Sequence, residues 1–284
     1  MLVGTAPAEA QTTAAPPVTD ANGVPIGMPP PSVRPMVARH HSILAIGDSN
    51  LAQGLHTLPE VLGQHGIEAV VYDAHGNGWG LLDPLEGASA LQVLDRAVVE
   101  HPDVDTVVIG FGGVCAVACG PGKLAYGSPQ FYDAWDAAAR ALVTLARLHG
   151  LHVVWAAAPP PPPSTSAEPP VEDWFSLSMR YQVTTTLIDH ARRYARAFGI
   201  AGADMSQALS DTSGGWQLQL SYEGAVHDVR LDDRVHLTED GSRRASLWTT
   251  AALAKLWSRP RWKPPSDAPR RPARQVANGN RSEE

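Results

Sequence analysis

Hydrophobic residues along the chain form two alternating kinds of segment. Short apolar runs of strand length occur at 42–47, 68–74, 106–109, 152–158 and 200–204. Most of them are separated by longer stretches in which apolar residues recur every three or four positions, as on one helix face, at 50–64, 88–100, 128–150 and 173–198. This alternation of strand and helix predicts an α/β protein, a three-layer α/β/α sandwich with a parallel, flavodoxin-like five-stranded sheet.

The ends of the chain lack this periodicity. Residues 1–39 are rich in Pro, Ala and Thr, and residues 258–284 are basic and rich in Pro. Both are predicted to be disordered tails on one domain at 40–257. Alternating residues around Tyr222-Glu223-Gly224 predict a small hairpin inserted late in that domain. A run from Pro159 to Pro163 predicts a stiff, extended loop after the fourth strand.

Composition and charge restrict the function classes. The chain has 284 residues, of which 44% are hydrophobic and 18% charged, as in a soluble protein with a substantial core. Its net charge is −7, and because the C-terminal tail is basic, the domain itself carries −11. An acidic body argues against a nucleic-acid partner. No apolar run reaches the roughly 18 residues of a membrane span, so no integral membrane segment is expected.

Two features bear on location. Ala8-Glu9-Ala10 matches the A-x-A pattern of a signal cleavage site, but the basic and apolar parts of a leader are missing. Either the frame starts upstream and the protein is secreted or in the cell envelope, or the match is coincidental and the protein is cytoplasmic. Cys115 and Cys119 form a disulfide in the first case or are buried thiols, and two cysteines cannot supply a four-ligand zinc site.

The first candidate for chemistry is Ser49. It ends the sequence Gly47-Asp48-Ser49, which directly follows the first apolar run and precedes a helical pattern. Serine at such a junction lies beside unpaired helix N–H groups, which can stabilise a developing oxyanion. The alternative is an ordinary turn in which Ser caps a helix.

A second candidate lies almost 190 residues later, at Asp233-Arg234-Val235-His236. In a tight turn this spacing brings the Asp233 carboxylate to His236 Nδ1, which leaves Nε2 to take a serine proton. The alternative is an acidic loop before a helix, with His236 on the surface.

Together these motifs resemble the SGNH (GDSL-type) hydrolase family over about 42–257. The resemblance implies an α/β/α sandwich and a serine hydrolase of esters, often acetyl groups on sugars, that needs no metal or cofactor. It assigns Ser49, His236 and Asp233 to a catalytic triad. It places the oxyanion-hole donors at the Ser49 N–H and at Gly78, within Ala74-His75-Gly76-Asn77-Gly78.

The sequence departs from the family pattern after the third strand. The family has Gly-x-Asn-Asp there, with the Asn side chain in the oxyanion hole, whereas this chain reads Gly110-Phe111-Gly112-Gly113. Either Asn77 or Asn50 replaces the missing donor, or the hole is weaker.

The sequence is compatible with three functions. They are an esterase for small acyl groups on a small molecule or glycan, an O-acyltransferase of cell-envelope glycans, and a catalytically weak carbohydrate-binding protein. The oligomeric state is left open.

Overall fold

Five parallel strands build the central sheet: β1 (His40–Gly47), β2 (Glu68–His75), β3 (Thr106–Gly110), β4 (His152–Ala157) and β5 (Ala201–Asp204). Their order across the sheet is β2-β1-β3-β4-β5. The computed structural model describes residues 16–33, 40–75, 80–84, 87–112, 124–159, 162 and 177–258. Cys115 and Cys119 lie outside the described residues, as does most of the predicted proline loop.

Seven helices accompany the sheet in the described part of the chain. They are α1 (Ser49–Leu55), α2 (Leu58–Gln64), α3 (Ala90–Glu100), α4 (Pro129–Leu148), α5 (Leu177–Ala197), α6 (Met205–Ala208) and α7 (Glu239–Trp257). The first residues of α3 and α4 are capped by Ser89 and Ser128, whose hydroxyls accept backbone N–H bonds. Among these helices, none has both the length and the apolar character required to cross a bilayer.

The sheet divides the hydrophobic core into two halves. Leu44 and Ile46 of β1 pack in the half that contains α3, α4 and α5, whereas Ile43 and Ala45 pack with α1, α2 and α7. All four side chains are at most 1% exposed, which explains why the strand is apolar throughout instead of alternating. The three-layer α/β/α sandwich predicted from the sequence is confirmed.

The connection pattern marks one edge of the sheet for ligand binding. From β1 the chain continues to β2 on one side, and β3 then lies on the other side of β1. Ligands in open parallel sheets bind at such switch points, beyond the carboxyl ends of the strands. The segments that follow β1 and β3 therefore begin at the switch point, at the carboxyl edge of the sheet.

The helix predicted over 50–64 is in fact two helices, α1 and α2, separated at His56 and Thr57. Pro59 explains the break, because a proline lacks an N–H and its ring collides with the carbonyl four residues earlier. That carbonyl belongs to Leu55, the last residue of α1. The prediction of one continuous helix was wrong at this point.

Part of the predicted N-terminal tail packs on the domain. Ile26 pairs with Ser221 and Gly27 with Asp211 through isolated β-bridges. The buried Arg244 of α7 donates from Nη2 to the Met28 carbonyl at 2.7 Å. The expectation of a flexible tail therefore does not hold for this segment, because its backbone polar groups pair with the domain.

The hairpin predicted from the sequence is confirmed. Strands β6 (Gln219–Tyr222) and β7 (Ala225–Asp228) pair antiparallel. The two residues between them, Glu223 and Gly224, have φ values of +52° and +81°. Two positive φ values are what a type I′ turn requires, and this turn matches the twist of the strands that it joins.

Candidate active site

Ser49 lies just beyond the carboxyl end of β1, where β1 and β3 approach each other closely. Gly47 lies opposite Gly110 in the sheet register. A Cβ atom on Gly47 would come within 1.9 Å of the Gly110 carbonyl oxygen, so only glycine fits there. The chain turns directly after Gly47, and Ser49 becomes the first residue of α1.

Asp48 fixes the start of this helix and the loop after β3 together. Its side chain is fully buried, and Oδ1 accepts from the N–H groups of Asn50 at 3.1 Å and Leu51 at 3.3 Å. Oδ2 accepts from the Gly112 N–H at 2.7 Å. Asp48 is therefore the N-cap of α1 and also ties Gly112, after β3, to the start of that helix.

The Asp-x-x-His segment forms a tight turn stabilised by its own carboxylate. Asp233 Oδ1 accepts from the N–H groups of Val235 and His236, each at 2.9 Å. Arg234 adopts the left-handed conformation with φ of +61°, which brings the chain back over the aspartate. Asp233 Oδ2 then lies 2.5 Å from His236 Nδ1.

The structure brings the three predicted triad residues into one chain of hydrogen bonds. His236 Nε2 lies 3.1 Å from Ser49 Oγ, across 187 residues of sequence. An ionised carboxylate only accepts hydrogen bonds, so Nδ1 carries the proton and Nε2 is free to accept one from Ser49. This arrangement can activate a serine hydroxyl by general-base catalysis.

The surroundings of Asp233 keep it ionised. Burial acts to raise the pKa of this carboxyl, but the hydrogen bonds from the His236 backbone and ring and from Val235 outweigh it. The net result is a pKa below the usual aspartate value. Asp233 is therefore a stable negative partner for an imidazolium that forms on His236.

Arg230 supports the same turn from the protein interior, and nothing in its sequence context indicated this. It is 3% exposed and donates from Nη1 to the Val235 carbonyl at 2.9 Å. Its guanidinium lies 5.6 Å from the centre of the Trp216 ring. Burial lowers the pKa of Arg230 to about 9, although the nearby charge of Asp233 opposes this. Local pattern reasoning missed Arg230 because an arginine three residues before Asp233 carries no motif.

Among the described residues, the Ser49 N–H is open as a donor for an oxyanion hole. None of them accepts a hydrogen bond from the Ser49 N–H. The Gly112 N–H donates to Asp48, so it is not open to an oxyanion, and Gly112 has no side chain that could donate instead. Asn50 is 6% exposed, and its Oδ1 has no partner among the described groups. The other two candidates, Asn77 and Gly78, lie outside the described residues.

An open groove lies beside the turn, between α1 and the start of α7. Most of the residues that line it are polar, among them Gln53, His56, Asp73, Thr238 and Glu239. Because Leu237 also lines it, the groove begins one residue from His236. It offers space for part of a ligand beside the turn that carries His236.

Comparison with known proteins places most of this domain in one family. Residues 42–248 match the family described as "Protein of unknown function (DUF459)". No curated protein matches the sequence. The α/β/α fold predicted from the sequence is shared by solved structures of other proteins.

Two of these structures illustrate the likeness. An aryl esterase of M. smegmatis, solved with an inhibitor, is 16% identical with a TM-score of 0.50, and the match covers 76% of this chain and 99% of that one. A carbohydrate acetylesterase from Sinorhizobium meliloti has the same identity, TM-score and coverage. At this identity the comparison establishes a shared fold.

Proposed function

The chain belongs to the DUF459 family of proteins of unknown function, and we propose that it is a serine esterase that hydrolyses small, acetyl-like acyl esters. The observation that carries this proposal is the continuous hydrogen-bond path from Asp233 through His236 to Ser49. The triad of serine hydrolases is recognised by this order and orientation of an aspartate, a histidine and a serine.

In the proposed reaction, Ser49 Oγ attacks the acyl carbon while His236 Nε2 removes the hydroxyl proton. The carbon–oxygen bond to the alcohol breaks, and His236 returns the proton to the departing alkoxide. Water then attacks the acyl carbon of the acyl-enzyme and loses a proton to His236. The bond from that carbon to Ser49 Oγ breaks, and His236 returns the proton to Oγ, so that the acid is released and the Ser49 hydroxyl is restored. Asp233 orients the imidazole and stabilises its charged form throughout.

Two hydrogen-bond donors for the oxyanion complete the proposed site. The Ser49 N–H stabilises the oxyanion, and we assign the second donor to the Gly78 N–H or to the Asn77 side chain. Each such donor typically contributes about 10²–10³ in turnover. No metal ion or cofactor enters these steps.

The substrate proposed here is an acylated alcohol that carries further hydroxyl groups, such as a glycan ester. Two observations support it: side chains that can form hydrogen bonds with hydroxyl groups, among them His56, Asp73 and Glu239, lie at the groove beside the triad, and the domain is acidic. An acidic protein repels anionic polymers and does not repel neutral sugars. The similar Sinorhizobium meliloti protein is a carbohydrate acetylesterase, which agrees with this choice.

We further propose a secreted or cell-envelope location, because Ala8-Glu9-Ala10 matches the pattern of a signal cleavage site.

Labelling with a fluorophosphonate probe tests the reaction class without knowledge of the substrate. We expect the purified protein to be labelled at Ser49 and to hydrolyse p-nitrophenyl acetate, and the Ser49→Ala variant to do neither. Absence of both reactions in the folded wild-type protein would refute the proposal and favour a carbohydrate-binding protein on the same fold. If an acetylated product forms when acceptor sugars are added to an active enzyme, the activity is that of an O-acyltransferase.

A further inference from the structure

The helix that carries the candidate nucleophile also holds the backbone next to the candidate base. Gln53 lies one helical turn after Ser49 on α1. Its side-chain Oε1 accepts a hydrogen bond from the Leu237 N–H at 2.9 Å, across 184 residues of sequence. Leu237 directly follows His236, so this bond connects the two halves of the site through one short helix.

We propose that Gln53 is a positioning residue that sets the distance between His236 Nε2 and Ser49 Oγ. This inference rests on the esterase activity proposed above. In the described part of the chain, α1 forms two hydrogen bonds with residues 233–237: the Ser49–His236 contact itself and the bond from Leu237 to Gln53. Gln53 is therefore the side chain of α1 that holds the turn in place independently of the reacting atoms.

The other bonds of the turn attach it to a different part of the protein. The Val235 carbonyl accepts from Arg230, and the Leu231 N–H donates to the His236 carbonyl. Both partners belong to the segment that follows β7, so these bonds fix the shape of the turn but not its place relative to α1. Together with the Ser49–His236 contact, the bond to Gln53 ties the turn to the helix that carries Ser49, whereas Ser242 of α7 holds the segment after the turn on that helix.

Loss of the Gln53 acceptor has a predictable local consequence. Leu237 is 5% exposed, and a buried N–H without a partner is unfavourable, so the turn would shift to find another acceptor or water. A displacement of about 1 Å between reacting groups can reduce a rate by roughly 10²-fold. The packing of α1 on α7 would persist, because the Ser242 hydroxyl donates to the backbone carbonyl of Gln53 and not to its side chain.

The test compares three substitutions in the full chain, with p-nitrophenyl acetate as substrate and fluorophosphonate labelling of Ser49 as a second measurement. We expect Gln53→Met, which keeps the length of the side chain but removes the acceptor, to lower kcat about 10- to 100-fold with little change in KM. The rate of labelling should fall in parallel. Gln53→Glu retains an oxygen acceptor and should recover most of the lost kcat at pH 8.

Gln64→Met is the matched control. Gln64 lies on the neighbouring helix α2, where Nε2 donates to Glu60 at the protein surface. This variant loses a glutamine hydrogen bond of comparable length away from the triad, and its kcat should equal that of the wild type.

The outcomes separate the two proposals. A wild-type protein without esterase activity or labelling contradicts the proposed function, whatever Gln53 does. An active wild type with unchanged kcat in a folded Gln53→Met variant overturns the positioning role alone, even if the melting temperature falls. A Gln53→Glu variant as slow as Gln53→Met overturns it as well. If Gln53→Met does not fold, Gln53→Asn replaces it, because its amide is too short to reach Leu237, and wild-type kcat in that variant would overturn the role.

Discussion

Asp48 Oδ2 accepts a hydrogen bond of 2.7 Å from the Gly112 N–H, at the position where the SGNH pattern that the sequence resembles has an asparagine. The carboxylate that caps the helix beginning at Ser49 therefore also contacts Gly112, which has no side-chain donor. This contact changes what a substitution at Gly112 can be expected to do.

We expect Gly112→Asn to lower ester turnover several-fold instead of restoring a donor. Its backbone does not have a positive φ, but an added Cβ would lie 3.1 Å from Asp48 Oδ2 and 3.5 Å from Ala158 Cβ. Movement of Asp48 would disturb the first turn of α1, and with it Ser49. Gly112→Ala adds the same Cβ without a donor, so it should show a similar loss. The measurement is kcat on one acetyl ester, and a gain in the Asn variant alone would show that the oxyanion hole is incomplete.

Substitutions in the triad should behave as changes to a single unit. Ser49→Ala and His236→Ala are each expected to reduce turnover by about 10⁴-fold or more, and the double variant should be no slower than either. Asp233→Asn should be nearly as damaging, because the amide favours the wrong tautomer of His236. Circular dichroism and melting temperatures control for folding. Additive losses in the double variant would contradict a shared mechanism.

Gly47→Ala should destabilise the fold strongly, since its Cβ would lie 1.9 Å from the Gly110 carbonyl oxygen. Crowding of backbone in a packed sheet cannot relax locally, and we expect a loss of about 3 kcal/mol or more in the free energy of unfolding. Gly63→Ala is the matched control, because Gly63 lies at an exposed position of α2 with no atom near its Cβ position. It should stabilise the protein by about 0.5–1 kcal/mol. Urea unfolding of both variants measures the contrast, and equal effects would contradict it.

Asp211 should make stability dependent on pH in the acid range. Burial acts to raise the pKa of this carboxyl, but hydrogen bonds from Ser213, Gly215 and Gln217 outweigh it and lower the pKa. A lowered folded-state pKa means that the stabilisation is complete above the unfolded value of about 3.9 and is lost as the pH falls through the folded value. Asp211→Asn should therefore cost about 1–3 kcal/mol at pH 7, and progressively less as the pH falls below the unfolded value of about 3.9. Unfolding measured at pH 7 and at a series of acid pH values tests this, and a cost that does not change with pH would contradict the role of the charge.

Local sequence pattern was sufficient for the architecture and for the choice of the three residues that the structure joins by hydrogen bonds, Ser49, His236 and Asp233. Strand and helix periodicity reflect which side chains must be buried, and that requirement repeats every two or every 3.6 residues within a segment. The turn at Asp233 to His236 is local as well, since its carboxylate bonds reach only two or three residues along the chain. Pro59 is also a local signal, and the break between α1 and α2 was available from the sequence.

Contacts between distant segments were decided only by the tertiary structure. Ser49 meets His236 across 187 residues, Leu237 donates to Gln53 across 184, and Gly112 donates to Asp48 across 64. The pairing of Ile26 with Ser221 likewise turned part of a predicted tail into a packed segment. No spacing along the chain encodes such pairs, because they depend on how whole helices and strands pack against each other. The sequence by itself determined which groups are available for chemistry, and packing decided which of them meet.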